Sequence, residues 1–262
     1  MTTSDTLPPW LGSVVAEQRY PLVFATVSGA HLYGFASIDS DVDLRGVHLL
    51  PAADVVGLRS APETLQHMEI REEVELDLVT HDLLKFCRLL LRNNGYVAEQ
   101  LLSPLVVATS PLHRELMALW PGLATRQHSH HYRGFAETQW KLFERNGELK
   151  PALYTLRVLL TGIHLMRTGE IVADLRRLWP DFRVPYVPEL IEAKRQGEHL
   201  PLGSLISVDL LRDDVTRLVA TLEEAAAASR LPERPSAHDA LHDLVVNARL
   251  APQPMWTEAF DV

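Results

Sequence analysis

Two β-prone runs and the turn that joins them constrain this chain most. Pro21–Val27 is a mostly apolar run of strand length. It leads into a turn carrying Gly29 and Gly34, then a polar cluster, Asp39-Ser40-Asp41, and a second apolar run from Val42 to Leu50. Asp41 and Asp43 open that second run at a spacing of two. On a strand, residues i and i+2 point to one face. Two carboxylates therefore sit side by side where the strand starts. Like charges that close repel, and a divalent ion relieves the conflict. Oxygen ligands of this kind suit Mg²⁺ or Mn²⁺.

The rest of the first third reads as mixed α and β. Glu73–Val79 alternates, with Glu73, Glu75 and Asp77 on one face and Val74, Leu76 and Leu78 on the other. Leu105–Ala108 is a weaker strand. Leu83, Leu84, Phe86, Cys87, Leu90 and Leu91 recur at helical spacing, with Thr80 or Asp82 as cap and Asn93-Asn94-Gly95 as stop. Beyond Pro111 the pattern turns helical. Helices are expected at Tyr132–Asn146, Pro151–Thr168, Ser207–Ser229 and Ala237–Leu250, with linkers at Leu200–Ser204 and Leu231–Pro235. The expected architecture is α+β. An N-terminal α/β domain with a mixed sheet (1–110) precedes a C-terminal helical domain (111–262) that closes a cleft.

Composition narrows the function. The chain has 262 residues and a formal net charge of −9, so a basic face for duplex nucleic acid is not expected. The single cysteine, Cys87, lies in an apolar helical pattern and is expected buried and free. The start of the chain lacks the basic and apolar signature of a secretory leader, and no apolar run reaches membrane-spanning length. A cytoplasmic protein that does not enter the membrane is expected.

The string Ser28-Gly29-Ala30, Tyr33-Gly34, Ser40-Asp41-Val42-Asp43 and Arg45-Gly46-Val47 resembles the signature of the nucleotidyltransferase superfamily of the DNA polymerase β type. In particular it resembles a bacterial branch associated with RNA repair. The resemblance implies a nucleoside triphosphate as donor and a two-metal Mg²⁺ or Mn²⁺ site on Asp41, Asp43 and a third carboxylate. Asp77 fits that third place, with Glu75 as the alternative. It also implies that Ser28, Gly29, Ala30 and Ser40 cradle phosphate. Ala30 stands where the family has a phosphate-binding serine, but backbone N–H groups of a Gly-rich turn also hold phosphate. Lys150, Tyr154 and Arg157 fall on one helix face at i, i+4 and i+7. They resemble a family Lys–His/Tyr–Arg motif and are expected to hold phosphate across the cleft, with Lys141 as a weaker candidate.

The implied reaction is transfer of a nucleoside monophosphate to an acceptor hydroxyl on an RNA end, a protein or a small molecule. A regulatory nucleotide-binding protein with vestigial catalysis is the alternative. A metal-dependent phosphohydrolase explains the carboxylates but leaves the Gly29 turn unused. His128, His130 and His131 are expected to be ordinary loop histidines, and His238-Asp239 a helix surface. Trp120, Trp140 and Trp179 are expected to serve packing.

Overall fold

Every residue of Leu22–Val27 is buried, which places this strand, β1, inside a sheet. The computed structural model describes residues 7–250, apart from 38, 60, 197–201 and 203–204, together with the backbone of 258–259. The further strands are β2 (Val42–His48), β3 (Thr64–Arg71), β4 (Val74–Asp82), β5 (Val106–Thr109) and the short β6 (Glu258–Ala259). Their order is β3-β4-β2-β1-β5-β6. β2 and β4 run parallel, whereas β1 is antiparallel to both β2 and β5, so the sheet is mixed as expected.

β3 escaped the sequence reading. It forms a hairpin with β4 through Glu72 and Glu73, at φ 50° and 66°. Both central residues of such a two-residue turn need positive φ, and Asn-Gly is the usual signal. Two glutamates hide it. Glu73 therefore lies in the turn rather than on the strand face with Glu75 and Asp77. Asp77 is also interior to β4, because the strand runs on to Asp82.

Thirteen α-helical segments lie among the described residues. They are α1 (Leu11–Ala16), α2 (Gly29–Tyr33), α3 (Ala52–Val56), α4 (Leu83–Leu91), α5 (Gly95–Leu101), α6 (Pro111–Ala118), α7 (Trp120–Leu123), α8 (His128–Asn146), α9 (Leu149–Thr168), α10 (Leu175–Leu178), α11 (Val187–Arg195) and α12 (Val208–Ala228), and α13 (His238–Leu250) ends the described helical part. Asp82 caps α4 by accepting from Leu84 N–H at 2.9 Å. Asn94, expected to stop a helix, also starts the next by accepting from Tyr96 N–H at 3.0 Å. The linker expected at Leu200–Ser204 lies largely outside the described residues.

The sheet has two different faces. Val42, Leu44, Leu76 and Leu78 pack with Leu11 and Val14 of α1 on one side. Alternation then turns Asp43, Arg45 and Asp77 to the other side. That side belongs to the large apolar core, which runs without a break from Val23 and Phe24 through Phe86 to Ile163 and Leu218. The expected boundary at 110/111 falls between β5 and α6, and this core crosses it. At the centre stands α9, whose Leu153, Leu156, Leu159, Leu160 and Ile163 are fully buried. Each such side chain contributes roughly 1.5–3 kcal/mol of burial. Cys87 is buried and free, and burial pushes its thiol up to about 12. The Trp120 indole packs in the core and donates to the Gly169 carbonyl at 3.1 Å.

Two buried histidines predict an acid-side loss of stability. His48 and His128 are fully buried, and desolvation lowers each pKa to about 4. In the unfolded chain they titrate near 6.5. Between those values the unfolded chain binds protons that the native state refuses, so stability falls as pH drops through about 6.5 and the loss levels off below about 4. The thermal midpoint is expected to be lower near pH 5 than near pH 7, and His48→Gln should flatten that dependence. An equal slope in the variant would contradict the assignment to His48.

Candidate functional site

The site forms where β1 ends. Ser28 N–H donates to the Asp43 carbonyl at 2.8 Å, which continues the β1–β2 ladder by one residue. Gly29 then turns the chain at φ +61°, and a Cβ there would overlap Asp43 Oδ2. Only glycine allows this approach. The expected two-glycine turn is one turn of helix, α2, ended by Gly34 at φ 83°. Ser28 Oγ is buried without a hydrogen-bond partner, and Ala30, two residues on, is buried as well.

The register of β2 with β4 sets Asp43 directly opposite Asp77. Asp41 immediately precedes β2 and is exposed. Burial raises the Asp43 pKa; Arg45 opposes that, Asp77 and then Asp41 add to it, and Lys150 opposes it most weakly. The three expected aspartates and Lys150 thus share one electrostatic neighbourhood.

Arg45 organises that neighbourhood, and the sequence reading gave it no role. Its Nη2 donates to Asp43 Oδ1 at 2.5 Å and to Asp77 Oδ2 at 2.8 Å. Its Nη1 reaches the Asp77 and Leu44 carbonyls, and its Nε donates to the Tyr96 hydroxyl at 3.0 Å. The signal was present: Arg45 lies at i+2 from Asp43, on the same strand face.

A cavity of about 470 Å³ opens beside Gly29 and Asp43 and extends between Tyr96, Tyr132, Tyr154 and Arg157. Tyr154 meets Tyr33 and Phe35 edge-on at 5.5 and 5.4 Å. Arg157, expected to hold phosphate across the cleft, is buried, lies 3.8 Å over the Tyr33 ring, and pairs with Glu99 Oε1 at 2.6 Å. Its charge is therefore matched before any ligand arrives. Glu99 was missed because a single glutamate in the run Val97–Leu101 gives no pattern. Burial raises its pKa more than Arg157 lowers it. The Tyr132 hydroxyl and Glu99 Oε2 lack a well-formed hydrogen bond, although Tyr132 is near enough to lower the Glu99 pKa.

The remaining candidates divide. Ser40 is committed to its own loop, since its Oγ accepts from Ser37 N–H at 2.9 Å and lies 2.8 Å from Ser37 Oγ. The buried Lys194 donates to that same Ser37 hydroxyl at 2.8 Å. Lys141 is exposed on α8 and does not line the cavity. His128 and His131 belong to α8 rather than to a loop, and His131 lines the cavity. His238 and Asp239 are exposed at the start of α13, as expected.

Among the described residues, no group of three or more His, Cys, Asp and Glu side chains is arranged to hold a metal ion. The donor set at Asp41 and Asp43 nevertheless fits one hard cation completed by phosphate oxygens. Mg²⁺ is commonly held by one or two carboxylates plus substrate phosphates. The Asp43–Asp77 gap differs, because Arg45 already fills it.

Gly29→Ala tests the turn. It costs about 1–2 kcal/mol for the left-handed backbone and also drives Asp43 out of place. Metal-dependent nucleotide binding should be lost, with a modestly lower melting temperature. Wild-type binding in the variant would detach the turn from the site.

An α+β sheet with a glycine turn against paired strand aspartates is the nucleotidyltransferase type of arrangement. The chain belongs to the RNA repair pathway DNA polymerase beta family (RlaP), whose model it matches over residues 8–247. It is 31% identical over 156 residues to an uncharacterized protein of Methanocaldococcus jannaschii, covering 58% of this chain and 63% of that relative's length. A nucleotidyltransferase-like protein from Exiguobacterium sibiricum, solved as a crystal structure, aligns over 83% of this chain and 72% of its own at 14% identity and a TM-score of 0.32. No helix among the described residues is long and apolar enough to cross a membrane.

Proposed function

We propose that this chain is a metal-dependent nucleotidyltransferase that moves a nucleoside monophosphate from a nucleoside triphosphate to an acceptor hydroxyl. The observation that carries the reading is the contact between the Gly29 turn and Asp43, with Asp77 in register across the sheet. The α2 turn supplies backbone N–H groups for phosphate, supplemented by the unpartnered Ser28 hydroxyl. Lys150 brings positive charge to Asp43 from α9. The aromatic cavity next to this turn accommodates the nucleoside, with Tyr154 and Tyr96 as ring contacts.

In this reading Asp41 and Asp43 hold Mg²⁺ or Mn²⁺, which would neutralise the triphosphate. Asp77 faces the acceptor. The acceptor hydroxyl passes its proton to Asp77, its oxygen bonds to the α-phosphorus, the bond from that phosphorus to the bridging oxygen breaks, and pyrophosphate leaves. Positioning and charge neutralisation supply most of the rate in such transfers. An RNA end is the acceptor that family membership favours, and a cytoplasmic location goes with a triphosphate donor. Asp77→Asn should bind nucleotide almost as wild type and transfer at least about a hundredfold more slowly, the scale of a lost acid–base contribution. Equal rates would reject Asp77.

A second reading, a regulatory nucleotide binder without transfer, is favoured by Ala30 in place of serine and by the hold of Arg45 on two of the aspartates. Incubation with α-labelled nucleoside triphosphates, Mg²⁺ or Mn²⁺, and RNA, protein or small-molecule acceptors separates the two. Binding without transfer to any acceptor would decide for the regulator.

A further inference from the structure

We infer that Arg45 takes the place of a second metal ion, so that this site holds one divalent cation where the superfamily pattern implies two. The inference rests on the nucleotidyltransferase reading and concerns how its carboxylates are neutralised. Two-metal sites hold their ions about 3.5–4 Å apart, and the ions share carboxylates between them. Here the shared position is taken by a guanidinium nitrogen, 2.5 Å from Asp43 Oδ1 and 2.8 Å from Asp77 Oδ2.

Arg45 is built into that place. Its side chain is 9% exposed. Its other nitrogens are bound to the Leu44 and Asp77 carbonyls and to the Tyr96 hydroxyl. Withdrawing it would strip a hydrogen bond from the buried Leu44 carbonyl and another from the partly buried Asp77 carbonyl, and unmade buried bonds are costly. Arginine also stays protonated at any working pH. A cation arriving between Asp43 and Asp77 would meet a fixed positive charge, not an open pair of ligands.

Of the three carboxylates, Arg45 holds Asp43 and Asp77. Asp41 is the exposed member, untouched by Arg45, and Asp41 with Asp43 leaves the ion's other positions to phosphate oxygens. Asp77 is then a carboxylate held by arginine instead of a metal ligand. This also accounts for the absence, among the described residues, of a three-ligand metal cluster around these aspartates.

Electron paramagnetic resonance of Mn²⁺ tests this on the full chain, with inorganic triphosphate as the phosphate probe because it makes no demand on base identity. Wild type should bind one Mn²⁺ with the signal of an isolated ion. Arg45→Met should bind a second and show the exchange-coupled signal of a close pair, and Arg45→Lys should stay at one. If Arg45→Met fails to fold, Arg45→Gln carries the same expectation. Two coupled ions in wild type would overturn the inference and leave the proposed function standing. One ion in both wild type and Arg45→Met would overturn it too, because something other than Arg45 then sets the count. No bound Mn²⁺ in wild type would overturn both.

Discussion

Asp43→Asn is expected to abolish metal-dependent nucleotide binding and to slow transfer by at least about a hundredfold, while the protein stays folded. The contacts of the proposed site converge on Asp43. Gly29 lies against its carboxylate, Asp77 faces it across the sheet, and Arg45 binds it. Loss of one preorganised electrostatic contact at a phosphoryl centre costs on the order of 10²–10³ in rate. Stability should move the other way or not at all. Burial raises the Asp43 pKa despite Arg45, so its negative charge is disfavoured in the native state relative to the unfolded chain. The neutral amide removes that cost, and Arg45 keeps Asp77 as a partner. Circular dichroism and a melting curve check the fold, and calorimetric titration of Mn²⁺ with nucleotide checks the site. Intact metal-dependent binding in Asp43→Asn would take the site away from β2.

The largest stability effect is expected at Glu99 and Arg157. Both side chains are nearly inaccessible, at 1% and 2% exposed, and they pair at 2.6 Å. Removing one partner strands the other charge in the core. Breaking such a buried pair costs about 3–5 kcal/mol. Arg157→Met and Glu99→Gln should each lower the melting temperature by roughly 10 °C for a chain of this size. The double variant should recover part of the loss, since a buried pair replaced as a unit is often close to neutral. Additive losses would show that the two residues are not energetically coupled. Both also line the cavity, so nucleotide affinity should fall further than stability alone explains.

How much of this was legible in the sequence depends on the range over which each feature is encoded. The Gly29 turn and the Asp41–Asp43 pair are local: a strand, a turn and an i, i+2 spacing suffice. The alternation placed Asp77 on the face opposite Leu76 and Leu78, and that held. Its pairing with Asp43 depends on a parallel register between strands more than thirty residues apart, which no local pattern encodes. The β3 hairpin was hidden by glutamates at positive φ. Arg157 was expected to hold phosphate because its helix spacing with Lys150 and Tyr154 is visible, whereas its buried partner Glu99, 58 residues away, is not. Arg45 was visible all along at i+2 from Asp43, but an arginine beside expected metal ligands has meaning only once its second partner, Asp77, is placed.

The proposed site for a metal-bound nucleoside triphosphate is Gly29 with the strand aspartates. Its most direct test is calorimetric binding of nucleoside triphosphates to wild type and Asp43→Asn, each with Mn²⁺ and with chelator. Wild type should bind only when Mn²⁺ is present, and Asp43→Asn should bind in neither condition. Binding that is undiminished by chelator, or equal in the variant, would contradict it.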